Sequence, residues 1–79
     1  MERYRNLSGD SGVEAYALGD GCVAVRFSSG VTYWYTDASA GADQVAELSR
    51  LALRGQGLST YISTHPEVSA GYARKDPHD

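Results

Sequence analysis

The sequence predicts an α+β fold, with a short antiparallel three-stranded β-meander packed on one amphipathic α-helix and followed by a short C-terminal helical segment. Residues 22–27 alternate between apolar and polar or small side chains. Residues 31–36 are rich in the β-branched and aromatic side chains that suit a pleated sheet. Residues 42–54 carry apolar side chains at spacings of three and four, as on one face of a helix. The chain has 79 residues, which favours a single domain with a thin core.

The two ends of the chain lack a pattern of regular structure. Residues 1–12 are polar and glycine-rich, a composition typical of a flexible arm. Residues 75–79 offer little apolar surface for packing. We therefore expect the folded domain to span residues 13–74, with a disordered tail after it.

The strands of the predicted meander are separated by short turns. Residues 13–18 form the first strand, and the turn at 19–21 contains an Asp-Gly pair, which favours tight hairpins. The loop at 28–30 joins the second strand to the third. If this loop has three residues with Gly30 in the left-handed conformation, the residues that pair across the hairpin are Phe27 with Val31, Val25 with Tyr33, and Val23 with Tyr35.

This register decides which aromatic side chains face solvent. In the three-residue loop, Tyr33 and Tyr35 line the core, while Trp34 lies outward beside Arg26. A two-residue turn at 29–30 would reverse the faces, burying Trp34 against Val25 and exposing both tyrosines. We favour the first register because it gathers nearly all large strand residues on one side.

After a loop at 36–41, the helix predicted over 42–54 buries one face and exposes the other. Its apolar positions are Val45, Leu48, Leu51 and Ala52. On the opposite face, Glu47 precedes Arg50 by three residues, and Arg54 lies near the end. Gly55 stands where a left-handed cap is expected. Leu58 and Ile62 then predict one or two further helical turns before Pro66.

Composition excludes several classes of function. The net charge of −3 argues against a broad basic surface for nucleic acid. Cys22 is the only cysteine and cannot form an internal disulfide, which fits a reducing, cytoplasmic compartment. Neither histidine has a metal-ligand spacing, and we expect no cofactor. No apolar run is long enough to span a membrane.

Several segments together resemble the KTSC domain. They are Val-Arg-Phe at 25–27, Gly30, Tyr-Trp-Tyr at 33–35, and Leu-Ala-Leu-Arg-Gly-Gln-Gly-Leu at 51–58. That family is named for its place at the C-terminus of some lysyl-tRNA synthetases and also occurs as small stand-alone bacterial and phage proteins. The resemblance covers about residues 12–74 and carries over to Phe27, Gly30, Tyr33 and Tyr35. It implies the α+β fold and, through the synthetase, a role in RNA binding.

The residue types favour binding over catalysis. No nucleophile with a base and no pair of carboxylates can be assembled from the sequence, so we do not expect an enzyme. We expect a module for RNA, single-stranded nucleic acid or a nucleotide, in which aromatic rings stack on bases and arginines meet phosphates. The alternative is a protein partner or a homo-oligomer formed through the open sheet face or an edge strand. The candidate binding residues are Arg26, Tyr33, Trp34, Tyr35, Arg50 and Arg54, and Arg3 and Arg5 are further candidates for phosphate contacts.

Overall fold

A five-stranded antiparallel sheet forms one layer of the protein, and its strands are arranged in the order in which they occur in the sequence. The computed structural model describes residues 1–7, 9 and 12–76. The strands are β1 (Glu2–Arg3), β2 (Val13–Gly19), β3 (Cys22–Phe27), β4 (Thr32–Thr36) and β5 (Arg74–Asp76).

The hairpin between β3 and β4 has the three-residue loop favoured by the sequence. Gly30 has φ of 97°, and its N–H donates to the Phe27 carbonyl at 2.9 Å. The N–H of Phe27 donates to the carbonyl of Val31, also at 2.9 Å. Val25 consequently pairs with Tyr33 and Val23 with Tyr35, so the register predicted from this loop is confirmed.

The helices follow β4. They are α1 (Asp37–Ala40), α2 (Ala42–Arg54), α3 (Leu58–Thr64) and α4 (Pro66–Ser69). The bounds predicted for the amphipathic helix are confirmed in α2. The left-handed cap is also confirmed, because Gly55 has φ of 78° and its N–H donates to the Leu51 carbonyl at 3.0 Å. α3 and α4 form the expected C-terminal helical segment.

The loop expected over residues 36–41 contains the helical turn α1. The hydroxyl of Thr36 accepts from the Ser39 N–H at 3.1 Å, and the Ser39 hydroxyl accepts from the Thr36 N–H at 3.0 Å. This reciprocal capping box stabilises a single turn without any buried apolar side chain. The prediction failed here because it relied on an apolar pattern.

The prediction of three strands is wrong, because both ends of the chain add a strand. At the N-terminus, Glu2 pairs with Tyr16 and Arg3 with Ala15, where the sequence suggests a flexible arm. Tyr4 follows with only 3% of its surface exposed. Residues 8, 10 and 11 of the expected arm lie outside the described residues.

At the C-terminus, β5 includes two residues of the expected tail. Lys75 pairs with Tyr33 and Asp76 with Thr32, which extends the sheet beyond β4. Edge strands of two or three residues are too short to show alternation in a sequence. β1 and β5 form because they pair with β2 and β4. Residues 77–79 lie outside the described part of the chain.

One side of the sheet carries the helices, and we call it the core face. The buried cluster combines Tyr4, which follows β1, with residues of β2, β3 and β4 and of the helices: Val13, Val23, Val25, Tyr35, Val45, Leu48, Leu51, Ala52, Leu58, Ile62 and Val68. No helix among the described residues is long and apolar enough to cross a membrane.

Candidate functional site

The six predicted binding residues fall on three separate surfaces. Arg26 and Trp34 lie on the side of the sheet opposite the helices, which we call the outer face. Tyr33 and Tyr35 belong to the core face. Arg50 and Arg54 lie on the polar side of α2, which packs against the core face. The fold therefore does not bring all six together.

The outer face is wider than a three-stranded sheet would make it. Paired residues of neighbouring strands share a side, so the edge strands add Arg3 and Arg74 to the face of Trp34. One row across the sheet runs Arg3, Ala15, Arg26, Thr32 and Asp76, and the next runs Ala17, Ala24, Trp34 and Arg74. The buried side chains of α2, α3 and α4 enter the cluster on the other side, so none of these helices packs on this face.

Trp34 is partly exposed and held by a carboxylate. Its indole Nε1 donates to Oδ2 of Asp76 at 2.9 Å, and Nε of Arg74 donates to Oδ1 of the same residue at 2.8 Å. The hydrogen bond from Arg74, followed by that from Trp34, holds the pKa of Asp76 below its usual value. Asp76 thus fixes the edge of the indole that carries the N–H, and part of the ring remains open to solvent.

The Nε of Arg26 forms no hydrogen bond with the described residues. This nitrogen is buried and lies 3.1 Å from Oε2 of Glu14, but outside hydrogen-bond geometry. Glu14 lies where the pairing register shifts between Val13 and Ala15, a bulge that directs it toward Arg26. The Arg26 side chain is still 40% exposed. A guanidinium presents five N–H donors, so Arg26 can contact an anion without releasing Glu14.

Arg50 and Arg54 have local roles on α2. Arg50 donates from Nε to Glu47 at 3.1 Å and from a terminal nitrogen at 2.5 Å, and this bond lowers the pKa of Glu47. Arg54 is exposed, and its carbonyl accepts from the guanidinium of Arg5 at 3.1 Å. Because α2 lies on the other side of the sheet, neither side chain can join Trp34 at one small ligand.

The two tyrosines of β4 border a groove on the core face. Tyr33 contacts Phe27 edge to face with 5.5 Å between ring centroids, and Tyr72 likewise at 5.0 Å. Tyr35 lies nearly parallel to Tyr33 at 6.5 Å. We call this the aromatic groove; it has a volume of about 750 Å³ and is closed on its helical side by residues of α3, α4 and the segment after them: Ile62, Pro66, Ser69, Ala70 and Tyr72.

Sequence reasoning missed Arg74 and Asp76 because they fall at and beyond the predicted end of the domain, and it missed Tyr72 because that residue belongs to no predicted strand or helix. Residues 72–76 show no alternation of apolar and polar side chains, so no local signal could have indicated them. The described residues contain no cluster of three histidine, cysteine, aspartate or glutamate side chains that could hold a metal ion. Comparisons of the chain with protein-family models, curated proteins and solved structures found no match.

Proposed function

We propose that the protein is a small non-catalytic module that binds single-stranded RNA or a nucleotide on its outer face. The observation that supports this most is the position of Trp34, a partly exposed indole between strands that carry Arg26 and Arg74, on a sheet face where α2, α3 and α4 do not pack. Stacking on an aromatic ring of an open sheet, with cations around it, is the chemistry that holds unpaired bases.

The arginines of the outer face suit phosphate. Arg26 and Trp34 are diagonal neighbours across β3 and β4, which places them roughly 7–8 Å apart, within reach of long side chains. Arg74 pairs directly with Trp34, and its side chain is 70% exposed. A base stacked on the indole would therefore have a guanidinium on either side for its phosphates.

Charge limits the length of the proposed ligand. Arg3, Arg26 and Arg74 share the outer face with the carboxylates of Glu14 and Asp76, so the local excess of positive charge is small. The whole chain has a net charge of −3. Both facts favour a nucleotide or a short unpaired segment over a long polymer. Membership of the KTSC domain family, which we propose from the sequence resemblance, agrees with RNA as the ligand.

Fluorescence of the single tryptophan tests the proposal. We would titrate the protein with a mixed-sequence hexaribonucleotide and with mononucleotides, at low and at moderate salt. We expect quenching that weakens as salt rises, because contacts with phosphate release counterions. Arg26→Ala should weaken binding about tenfold, while the matched control Arg50→Ala on α2 should bind as the parent does. Quenching that is absent, or equally strong in Arg26→Ala, contradicts the proposal.

Self-association is a second candidate, supported by an uncovered strand edge. β1 pairs with β2 only at Ala15 and Tyr16, so among the described residues no strand covers the far side of β2 from Ala17 onward. Leu18 lies in this stretch with 43% of its surface exposed. An open edge beside an exposed leucine is suited to strand pairing between two copies. Light scattering of the parent and of Leu18→Lys tests it: a dimer that Leu18→Lys makes monomeric supports self-association, and a monomeric parent contradicts it.

A further inference from the structure

We propose that the aromatic groove binds a proline-rich segment of a partner protein in the polyproline II conformation. This site lies on the core face, on the side of the sheet opposite Trp34, and is independent of the proposed nucleotide site. Grooves lined by tyrosine and other aromatic rings hold proline-rich segments because pyrrolidine rings pack on aromatic faces and the extended ligand loses little entropy on binding.

The walls of the groove present aromatic surface to an incoming chain. Tyr33 lies between Phe27 and Tyr72, and both contact it edge to face. Tyr72 is 39% exposed although it is a large aromatic residue. The groove volume of about 750 Å³ lies within the range of about 300–1,000 Å³ that is typical of ligand sites. It is therefore large enough for a few residues of an extended peptide.

Charge complementarity selects the class of partner. Among the described residues, none that lines the groove carries a charged side chain. The ammonium of Lys75 lies 5.6 Å from the centroid of the Tyr33 ring, which attracts it. A groove lined by uncharged side chains attracts the phosphates of a nucleic acid only weakly. A proline-rich segment is uncharged, so it does not depend on such attraction.

Hydroxyl groups in the groove supply the donors that such a segment needs. A polyproline II backbone makes no internal hydrogen bonds, so its carbonyls are free to accept hydrogen bonds from the partner. Tyr35 lines the groove with only 1% of its surface exposed, and no described residue forms a hydrogen bond with its hydroxyl. Burial raises the pKa of Tyr35 to about 12, so this hydroxyl keeps its proton at neutral pH. Ser28, Ser29 and Ser69 add hydroxyls along the same surface.

The test is a titration of the ¹⁵N-labelled protein with acetylated and amidated decaproline, followed by amide chemical shifts. We expect shifts confined to the amides that border the groove, such as those of Ser29, Ala70 and Tyr72. A Gly-Ser peptide of equal length should leave these amides unchanged. Neither peptide is ¹⁵N-labelled, so the amide signals observed are those of the protein alone.

Two variants separate a binding role from a structural one. Tyr72→Ala should weaken decaproline binding about tenfold, and Tyr61→Ala is the matched control because Tyr61 lies on α3 outside the groove. Tyr35→Phe keeps the ring and removes only the hydroxyl, so it should weaken binding while the melting temperature stays close to that of the parent. Equal binding by the parent and Tyr72→Ala contradicts the proposal.

A titration with uncharged nucleosides tests the alternative that the groove binds bases. If cytidine or adenosine shifts the amides of the groove and decaproline does not, the groove is a base-binding site and the proposed partner class is wrong. No shift with decaproline at millimolar concentration also overturns the proposal. Trp34 fluorescence reports on the outer face in the same samples, so failure of this inference can be distinguished from failure of the nucleotide proposal.

Discussion

The indole Nε1 of Trp34 donates a 2.9 Å hydrogen bond to Oδ2 of Asp76, a residue 42 positions later in the chain. This bond joins β4 to β5 through side chains, in addition to their backbone pairing. It also fixes the orientation of the one aromatic ring on the outer face. We therefore expect the charge state of Asp76 to affect the orientation of Trp34.

We expect the fluorescence of Trp34 to report the titration of Asp76. The pKa of Asp76 is lowered by its hydrogen bonds to Arg74 and Trp34. A folded-state pKa below the unfolded value means that the stabilising contribution is present above the unfolded pKa, about 3.9, and is lost as pH falls through the folded pKa. The emission spectrum should therefore change at a pH below about 4.

Asp76→Asn is the control for this titration. An amide keeps a hydrogen-bond acceptor and removes the acidic group, so the low-pH change in emission should disappear in the variant. A transition of equal size in the parent and in Asp76→Asn, measured while far-UV circular dichroism shows the fold intact, would assign the change to another group.

Trp34 and Tyr35 are adjacent in sequence and lie on opposite sides of the sheet. Replacing each with alanine should therefore lower the free energy of unfolding by different amounts. Tyr35 is 1% exposed within the core, and Tyr35→Ala should lower the free energy of unfolding by about 3–5 kcal/mol. Trp34→Ala removes a partly exposed ring and one hydrogen bond, which should cost only about 1 kcal/mol. Urea denaturation measures both values. Equal losses would contradict the observed register.

The parts of the fold that could be predicted are those that carry a repeating pattern or a special residue. Gly30 and the alternation of β3 specify the hairpin register, and the apolar spacing of α2 with Gly55 specifies the helix and its end. β1 and β5 could not be predicted because they have two and three residues, too few to show a period. They exist because β2 and β4 offer them backbone partners.

The candidate site could be predicted only in part for the same reason. The position of Trp34 beside Arg26 follows from the hairpin alone. Arg74 joins them through the pairing of β5, which no local pattern indicates. The aromatic groove depends on Tyr72, which contacts Tyr33 although the two residues are far apart in the sequence. Contacts between residues far apart in the chain produce no periodic pattern in the sequence, so they could not be predicted from it.

Tyr4 tests whether the N-terminal segment belongs to the folded structure. Its hydroxyl accepts from the buried Leu58 N–H, at the start of α3, at 3.2 Å. Tyr4→Phe leaves that donor without a partner and should lower the free energy of unfolding by about 1–3 kcal/mol. The control is Tyr16→Phe, because no described residue forms a hydrogen bond with the Tyr16 hydroxyl. Chemical denaturation should show a loss for Tyr4→Phe alone, and equal stability of both variants would contradict the packed position of Tyr4.

Gly55 and Gly57 are two glycines with positive φ that differ in the space around them. A Cβ on Gly55 would lie 2.7 Å from Cβ of Arg5, whereas a Cβ on Gly57 would lie 3.6 Å from Cδ2 of Leu51, an ordinary contact. Gly57→Ala should cost about 1–2 kcal/mol for the left-handed conformation alone. Gly55→Ala should cost more, because Arg5 must also move. Thermal unfolding compares the two, and a smaller loss for Gly55→Ala would contradict the close approach of Arg5.

The hydroxyl of Tyr35 should make the protein less stable in alkali. Burial, followed by the nearby hydroxyls of Tyr33 and Tyr72, raises the pKa of Tyr35 to about 12. A folded-state pKa above the unfolded value, about 10, means that the stabilising contribution is complete below pH 10 and is lost as pH rises toward the folded pKa. Urea midpoints measured between about pH 9 and about pH 11.5 should therefore fall less steeply for Tyr35→Phe than for the parent. Parallel pH profiles would instead mean that other groups cause the loss and that the Tyr35 hydroxyl ionises as readily in the folded protein as in the unfolded chain.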